Sequence, residues 1–579
     1  MHRLPLALLV ASVLASPVLA QGTQPNIVLI LADDFGVDYV GSYAEGTAPP
    51  CTPNIDGLAA DGMLFRNAWT NPVCSPTRAA VMTGRHGFRT GIGSPLGNSE
   101  EGLALAETTI PEMLAGYASA AAGKWHLHGN LGNSHPNDTG FDNYAGSIRG
   151  AVSDYFSWNK ITNGVSSTSS NYVVSETVDD ALSAITTMPE PWFAYVSFNS
   201  IHTPFHVPPS NLCPSSGACP SGYCSNLPAN PSNADLAKAM AEAMDTEIGR
   251  LLAAVDSTDT FVFFIGDNGT PGQASESPFL ASHAKGSMYE GGVNVPLIVT
   301  GPGVAVGESA ALASSVDLFA TFAELAGISS PTEDSVSLVP CLTDPLAAVR
   351  STVYSETFGN GPASLPAPDH QQAITDGRYK LIRRQQGGVS EEFFDLVLTP
   401  FETNDLLPGL SAAQQAAYDM LAGELDALAN TPTVGVNYCT AGTSANGCQA
   451  ALSATGTPSA SAPAGFELRA ANVEGNKRGI FFLASNGRQA NPWGNGSSWQ
   501  CVVPPVRRTG TLSEVGTNGA CDGSFTQDLN AIWCPGCPKP GANPGVGGIV
   551  QAQLWYRDPQ NTSNQTTSLS DALEFAVLP

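Results

Sequence analysis

The chain has 579 residues, more than one ordinary packed core needs, so two or more domains are expected. Hydrophobic residues make up 42% and charged residues only 13%, where about 25% is usual, so adjacent Asp, Lys or His residues stand out from surface filler. A formal net charge of -27 excludes nucleic acid as a partner, because phosphate backbones need a Lys/Arg footprint.

Residues 1–20 read as a secretory signal peptide. His2 and Arg3 precede the apolar run Leu6–Leu14, and Val18-Leu19-Ala20 offers a small-residue cleavage site. That run is too short to span a bilayer, and no other stretch reaches spanning length, so no transmembrane segment is expected. The alternative is a retained N-terminal anchor. Export to a periplasmic or extracellular location, an oxidising compartment, suits the 12 Cys.

Next come short apolar runs that read as buried strands: Ile27–Ala32, Trp192–Phe198, Phe261–Ile265 and Val295–Val299. Between the second and third, Ala234–Val255 places Leu236, Met240, Met244, Ile248, Leu251 and Val255 at helical spacing, with Ser232 or Asn233 as cap. A further helix, Ser315–Ala326, stops at Gly327. This alternation predicts an α/β catalytic domain over residues 21–430, with a mainly parallel central sheet flanked by helices. Within it, residues 345–430 read as a small antiparallel subdomain: Ala373–Ile382 and Phe393–Leu396 as strands joined by a turn, then a helix near Ala412–Ala429.

The stretch Thr431-Pro432-Thr433-Val434-Gly435 reads as a linker. From Val436 onwards eight Lys/Arg balance eight Asp/Glu, so the whole acidic excess lies upstream and charge marks a boundary. Residues 436–579 are rich in Gly, Ser, Asn and Pro, with brief strands such as Gly479–Leu483 and Val550–Tyr556. Six cysteines (Cys439, Cys448, Cys501, Cys521, Cys534, Cys537) form an even set suited to disulfides. A separate, disulfide-rich all-β domain of the sandwich kind is expected there. Its Trp and Tyr residues read as core before they read as sugar-binding surface. The chain shows no internal repeat.

Ligand sites in open α/β sheets gather beyond the carboxyl ends of the strands, and several polar clusters sit at such ends. Asp33-Asp34 follow the first strand, and Asp267-Asn268 follow Phe261–Ile265. His202 lies past Trp192–Phe198, and Lys124 and His126 follow the small-residue run Tyr117–Ala122. Three Asp and one Asn are hard oxygen donors that suit Ca²⁺ or Mg²⁺ over zinc. Taken alone, Asp33-Asp34 also reads as a helix cap, and Asp267-Asn268-Gly269 as an ordinary turn.

The stretch Cys74-Ser75-Pro76-Thr77-Arg78, continuing to Thr83-Gly84-Arg85, changes that balance. Its plain reading is a buried or disulfide-bonded cysteine before a helix, with Pro76 in the first turn. It resembles, however, the C-x-P-x-R…T-G-R signature of the sulfatase family, which a formylglycine-generating enzyme reads to oxidise the cysteine. The resemblance runs from about Asn26 to Leu407. Pro25–Asp34, Thr52–Ala59, Gly123–Leu127, Phe264–Gly269 and Lys285–Gly292 are similar to family elements, in family order.

That resemblance implies an exported sulfuric ester hydrolase of the alkaline-phosphatase-like superfamily. Asp33, Asp34, Asp267, Asn268 and the formylglycine made from Cys74 hold calcium. One hydroxyl of the aldehyde hydrate attacks sulfur; the other then loses a proton and expels sulfate. His126 is the implied base for that second step, since imidazole titrates near neutrality. Lys124 and Lys285 neutralise the bound sulfate, Arg78 holds the hydrate, and His202 protonates the leaving oxygen, with His206 as a weaker rival. His86, His128 and His283 are left as structural or substrate-side residues. The implied partners are a sulfated small molecule or glycan and, before export, the formylglycine-generating enzyme. The C-terminal part resembles an all-β segment found at the ends of exported bacterial proteins.

Two alternatives stay open on sequence. One is a phosphonate monoester or phosphodiester hydrolase of the same superfamily, since C-x-P-x-R occurs there too; Gly-Lys-Trp-His favours the sulfatase. The other is a catalytically silent binding protein. The cysteines depart from any simple pairing. With Cys74 oxidised, Cys51, Cys213, Cys219, Cys224 and Cys341 are odd in number, so one thiol should be free.

Overall fold

The computed structural model describes residues 24–578 except 106, 216, 218, 221, 329–331, 362–368, 386, 431–435, 494–497, 514–515, 540–542 and 560–565. The expected signal peptide and linker therefore lie outside the described residues.

Ten strands form one sheet: β1 (Asn26–Ala32), β2 (Met63–Trp69), β3 (Ala118–Gly123), β4 (Asn143–Gly146), β5 (Trp158–Thr162), β6 (Val165–Ser169), β7 (Trp192–Ser197), β8 (Thr260–Gly266), β9 (Leu297–Thr300) and β10 (Gly307–Ser314). Their order is β10-β2-β9-β8-β1-β7-β3-β4-β5-β6. β1 shows why an unbroken apolar run belongs here. Ile27, Leu29 and Leu31 enter one core, while Val28, Ile30 and Ala32 enter the core on the opposite face. The helices Cys74–Thr83 and Asp317–Leu325 cover the first face; Pro53–Asp61, Val173–Ile185 and Asn233–Leu252 cover the second.

Five of the nine strand pairings are parallel, so the sheet is mainly parallel as expected. The run Val295–Val299 does contribute a buried strand, β9, which runs antiparallel to both β8 and β2. Between β8 and β9 the longest helix is the four-residue Glu290–Val293. The helix predicted over Ala234–Val255 spans Asn233–Leu252, and Ser232 caps it in a reciprocal box with Asp235.

The antiparallel subdomain has four strands, β11 (Val353–Thr357), β12 (Gln371–Thr375), β13 (Tyr379–Gln385) and β14 (Val389–Asp395), followed by the helix Ala412–Asn430. Two details differ from expectation. The run Ala373–Ile382 is two strands, broken by a turn where Gly377 takes φ 89°. β11 was not foreseen, because Val353–Thr357 is short and only its Val and Tyr suggest a strand.

From Val436 the described residues are all-β apart from the one-turn helix Asn530–Trp533. A six-stranded sheet and the three-stranded sheet of Ala451–Gly456, Phe466–Val473 and Gly523–Asp528 bury one shared core. Phe466 and Leu468 from one sheet meet Phe481, Leu554 and Phe575 from the other. Tyr556 on its strand and Trp533 on the one-turn helix are buried within it, while Trp493, Trp499 and Trp555 are half-buried. Disulfides join Cys439–Cys501, Cys448–Cys521 and Cys534–Cys537. Upstream, Cys51–Cys219 and Cys213–Cys224 pair, leaving Cys74 and the expected free thiol, Cys341, both buried. No helix among the described residues is long and apolar enough to cross a membrane.

Candidate active site

Four adjacent strands, in the order β8-β1-β7-β3, are mutually parallel, so their carboxyl ends open on one edge of the sheet. Each passes the chain to polar residues: Asp267 and Asn268 after β8, Asp33 and Asp34 after β1, Asn199 and His202 after β7, Lys124 and His126 after β3. The helix Cys74–Thr83 begins at Cys74 and closes on Gly84, which takes φ 67° and donates its N–H to the Ala80 carbonyl. Cys74 is 2% exposed, and every other residue of that helix is buried too.

The structure brings the ten sequence-derived site residues together. Asp34 Nα–H donates to Asp267 Oδ1 at 3.0 Å, and Asn268 Nδ2 donates to Asp34 Oδ1 at 3.0 Å. Lys124 Nζ lies 2.6 Å from Asp33 Oδ2, and Lys285 Nζ pairs with Asp34 Oδ1. Arg78 donates from Nε and Nη2 to Asp267 Oδ2 at 3.1 and 2.8 Å, and from Nη1 to the Lys124 carbonyl and Ser197 Oγ at 3.0 and 2.6 Å. Buried charges are tolerable only when partnered in this way.

The carboxylates are nevertheless crowded. Burial pushes the Asp33 carboxyl well above the usual range, opposed by Lys124 and reinforced by Asp267 and Asp34. Burial also acts to raise Asp34 and Asp267, but neighbouring groups outweigh it: Lys285 first, then His202 and Lys124, lower Asp34, and Arg78 and Lys124 lower Asp267. Two buried oxygens, Asp33 Oδ1 and Asn268 Oδ1, have no hydrogen-bond partner. Ligand atoms of Asp33, Cys74 and Asp267 lie within 4.8 Å of one another. Orphaned hard oxygens beside three clustered carboxylates suit a hard divalent cation, so these residues fit Ca²⁺ or Mg²⁺.

His126 Nε2 is 3.2 Å from the Leu96 carbonyl, which has no proton to give, so the ring hydrogen sits on Nε2. Nδ1 therefore presents a lone pair, 3.2 Å from Cys74 Sγ. Burial, then Lys124 and Arg78, push the ring's proton affinity far below the usual histidine range, which keeps it neutral. His202 Nδ1 bonds to the Thr203 carbonyl at 2.9 Å, and burial with Lys124 pushes its pKa down to about 4.

The rival His206 packs among aromatic rings, against Tyr155, whose hydroxyl donates to the His202 carbonyl. Its Nε2 meets Tyr172 Oη at 3.1 Å and its Nδ1 meets the Pro204 carbonyl, while its ring lies 4.3 Å from that of Tyr155. His86 packs against Tyr354 and His283 stacks on Tyr289, both in packing roles; His128 is buried near His126 and His135.

Several supporting residues escaped the sequence reading. The Leu96 carbonyl, which fixes the His126 tautomer, is backbone and carries no side-chain signal. Ser197 was visible as the polar end of a buried strand. Gly150 packs so closely that a Cβ there would lie 2.3 Å from His126 Cε1. The Lys285 segment is tied down from the subdomain: Lys380 Nζ reaches Glu290 and Glu402 at 2.9 and 2.8 Å, and Tyr289 Oη donates to Glu392 at 2.8 Å. These contacts cross from a central-sheet loop to β13, β14 and Glu402, which spacing along the chain does not reveal.

Comparison with known proteins agrees with this geometry. The family profile described as Sulfatase matches residues 25–328, and that described as N-sulphoglucosamine sulphohydrolase, C-terminal, matches residues 281–430. The chain is 31% identical over 390 residues to N-acetylgalactosamine-6-sulfatase of Sus scrofa, covering 60% of this chain and 71% of that one. It is 32% identical over 370 residues to Arylsulfatase G of Homo sapiens, covering 54% and 67%. Among solved structures, Ps i-CgsB in complex with k-i-k-neocarrahexaose superposes with a TM-score of 0.59 at 24% identity, covering 70% of this chain and 93% of that one. The matching profile spans more than half of the sequence, and both relatives are named for sulfate removal: the chain belongs to the sulfatase family and is a sulfuric ester hydrolase.

Proposed function

We propose that the sulfate ester cleaved is carried by a saccharide, and that cleavage uses formylglycine made from Cys74 together with a bound calcium ion. The observation that carries this is the buried cluster of Asp33, Cys74 and Asp267, whose ligand atoms lie within 4.8 Å of one another, with His126 Nδ1 3.2 Å from Cys74 Sγ. Sulfur is out of place in an otherwise all-oxygen donor set for Ca²⁺; a formylglycine hydrate puts oxygen there instead. The name of the Sus scrofa relative supports a sulfated amino sugar or a similar saccharide.

Asp33, Asp34, Asp267, Asn268 and residue 74 would hold the ion, which when bound supplies positive charge that polarises the sulfate and acidifies the residue-74 hydroxyls. Lys124 and Lys285 neutralise the sulfate from two sides of the carboxylate cluster, and Arg78 keeps Asp267 in register beneath residue 74. His126 accepts a proton from a residue-74 hydroxyl through Nδ1, its Nε2–H anchored on Leu96. His202, with Nδ1 committed to its own backbone, exchanges a proton with the leaving oxygen through Nε2. A bound anionic sulfate beside it raises its proton affinity from the low value of the free site.

Residues 21–430 form the catalytic unit in this reading, and 436–579 an attached β domain. Five disulfides suit an oxidising compartment, hence export. The test is the mass of the tryptic peptide Asn67–Arg78 from active enzyme. An aldehyde in place of the thiol at Cys74 is the expected result; an unmodified cysteine in fully active protein would sink the mechanism.

A further inference from the structure

Residues 24–430 contain fifteen Lys and Arg. Fourteen have a carboxylate within 4.0 Å. The fifteenth is Arg149, which is exposed and whose side chain makes no ion pair or hydrogen bond among the described residues. In a chain of net charge -27, carboxylates greatly outnumber cations. An arginine that meets none of them is held apart by where its backbone sits.

That place is the mouth of the active site. The Ser147 and Ile148 carbonyls accept the N–H groups of Trp125 and His126 at 3.0 and 3.1 Å. Gly150 follows immediately, its backbone against the His126 ring. Ser147 Oγ donates to Asn199 Oδ1 at 3.1 Å, which ties the same loop to the segment that leads to His202. Arg149 is thus fixed between residues that touch the site, while its side chain stays free in solvent. Lys124 and Lys285 already serve the scissile sulfate, so this additional cation suits a different group on the same molecule.

We propose that Arg149 forms an anion subsite at the rim, binding a second negatively charged group, a sulfate or a carboxylate, on the saccharide whose sulfate ester is cleaved. The proposal rests on reading the Lys124–Lys285 pocket as the seat of the scissile sulfate. A guanidinium presents a planar fork of donors that matches either anion with two parallel hydrogen bonds. Because every other cation of the region is already paired, an approaching polyanion meets only this one uncommitted charge outside the pocket.

The test compares kcat/KM for four substrates: 4-nitrophenyl sulfate, a monosulfated N-acetylhexosamine, the same sugar with a second sulfate, and the same sugar linked to a uronate. Wild-type enzyme should favour one or both doubly charged sugars over the singly charged one, and the arm preferred identifies the anion. Arg149→Ala should cut that preference about 10- to 100-fold, and Arg149→Lys should restore part of it. Raising salt should erode the preference in wild type far more than in Arg149→Ala, because the subsite is exposed. A wild-type enzyme indifferent to the second anion overturns the subsite, as does an Arg149→Ala variant that slows all four substrates equally. Turnover of 4-nitrophenyl sulfate but of none of the three sugars by wild type would instead remove the sulfated-saccharide reading on which the proposal depends.

Discussion

The catalytic region and the C-terminal β module are held together in different ways. Upstream, charge is buried: Arg78, Asp33 and Asp267 are fully enclosed, and each is balanced by neighbours on other elements. Downstream, the charge sums to zero, only Lys477 and Arg488 form ion pairs among the described residues, and three disulfides brace a core of its own. Among the described residues, the only group of three His, Cys, Asp or Glu close enough to hold a metal ion is the upstream one. Buried charge costs several kcal/mol per ion unless repaid, so it gathers where chemistry needs it. A module without such demands is stabilised by apolar burial and covalent cross-links.

Substitutions can break this comparison or sharpen it. The largest effect is expected at Cys74. Cys74→Ala removes the proposed nucleophile and should lower sulfate-ester hydrolysis by about three orders of magnitude or more with little change in Tm. Substantial residual activity, in a preparation free of other sulfatases, would show that the buried cluster is not the reactive centre. Asp267→Ala should abolish both turnover and calcium binding. It also strips Arg78 of its principal partner in a site without solvent, so a stability loss of about 3 kcal/mol should accompany it. Calorimetry with undiminished Ca²⁺ affinity in that variant would count against the ligand assignment.

A smaller and more selective effect is expected from His202→Ala. If His202 protonates the leaving oxygen, the loss should be about 100-fold on sugar sulfates and much less on nitrophenyl sulfate, whose leaving group departs without help. Equal losses on both would remove it as the proton donor. The smallest effect should come from ending the chain near Thr433. The remaining protein should stay folded and hydrolyse a small aryl sulfate at close to the full rate. Loss of activity on truncation would mean that the β module completes the site, and the contrast between the two regions would fall.

The sheet and its reactive edge were legible because both depend on short-range patterns. Unbroken apolar runs such as Ile27–Ala32 mark strands buried on two faces, and the polar residue after each run marks the open edge. What stayed hidden depends on long-range packing. Nothing in Val295–Val299 says that β9 runs antiparallel, since that follows from where the strand docks between β8 and β2. The tie between Lys285 and the subdomain runs through Glu290 and Lys380, residues 90 positions apart. Gly150 looked like any loop glycine, although its missing side chain is what lets the loop close over His126.

The ion pair between Arg78 and Asp267 has a consequence for the order of events during synthesis. Its partners are 189 residues apart in the chain. At about 5–20 residues per second, Asp267 is made roughly 10–40 s after Arg78. Until then β8 does not exist, the pocket has no floor, and the segment around Cys74 cannot be enclosed. Afterwards the whole helix that starts at Cys74 is sealed from solvent. If Cys74 is oxidised by an outside enzyme, as the proposed mechanism requires, the oxidation has to precede this enclosure, and slowing translation between residues 78 and 267 should widen the interval available for it.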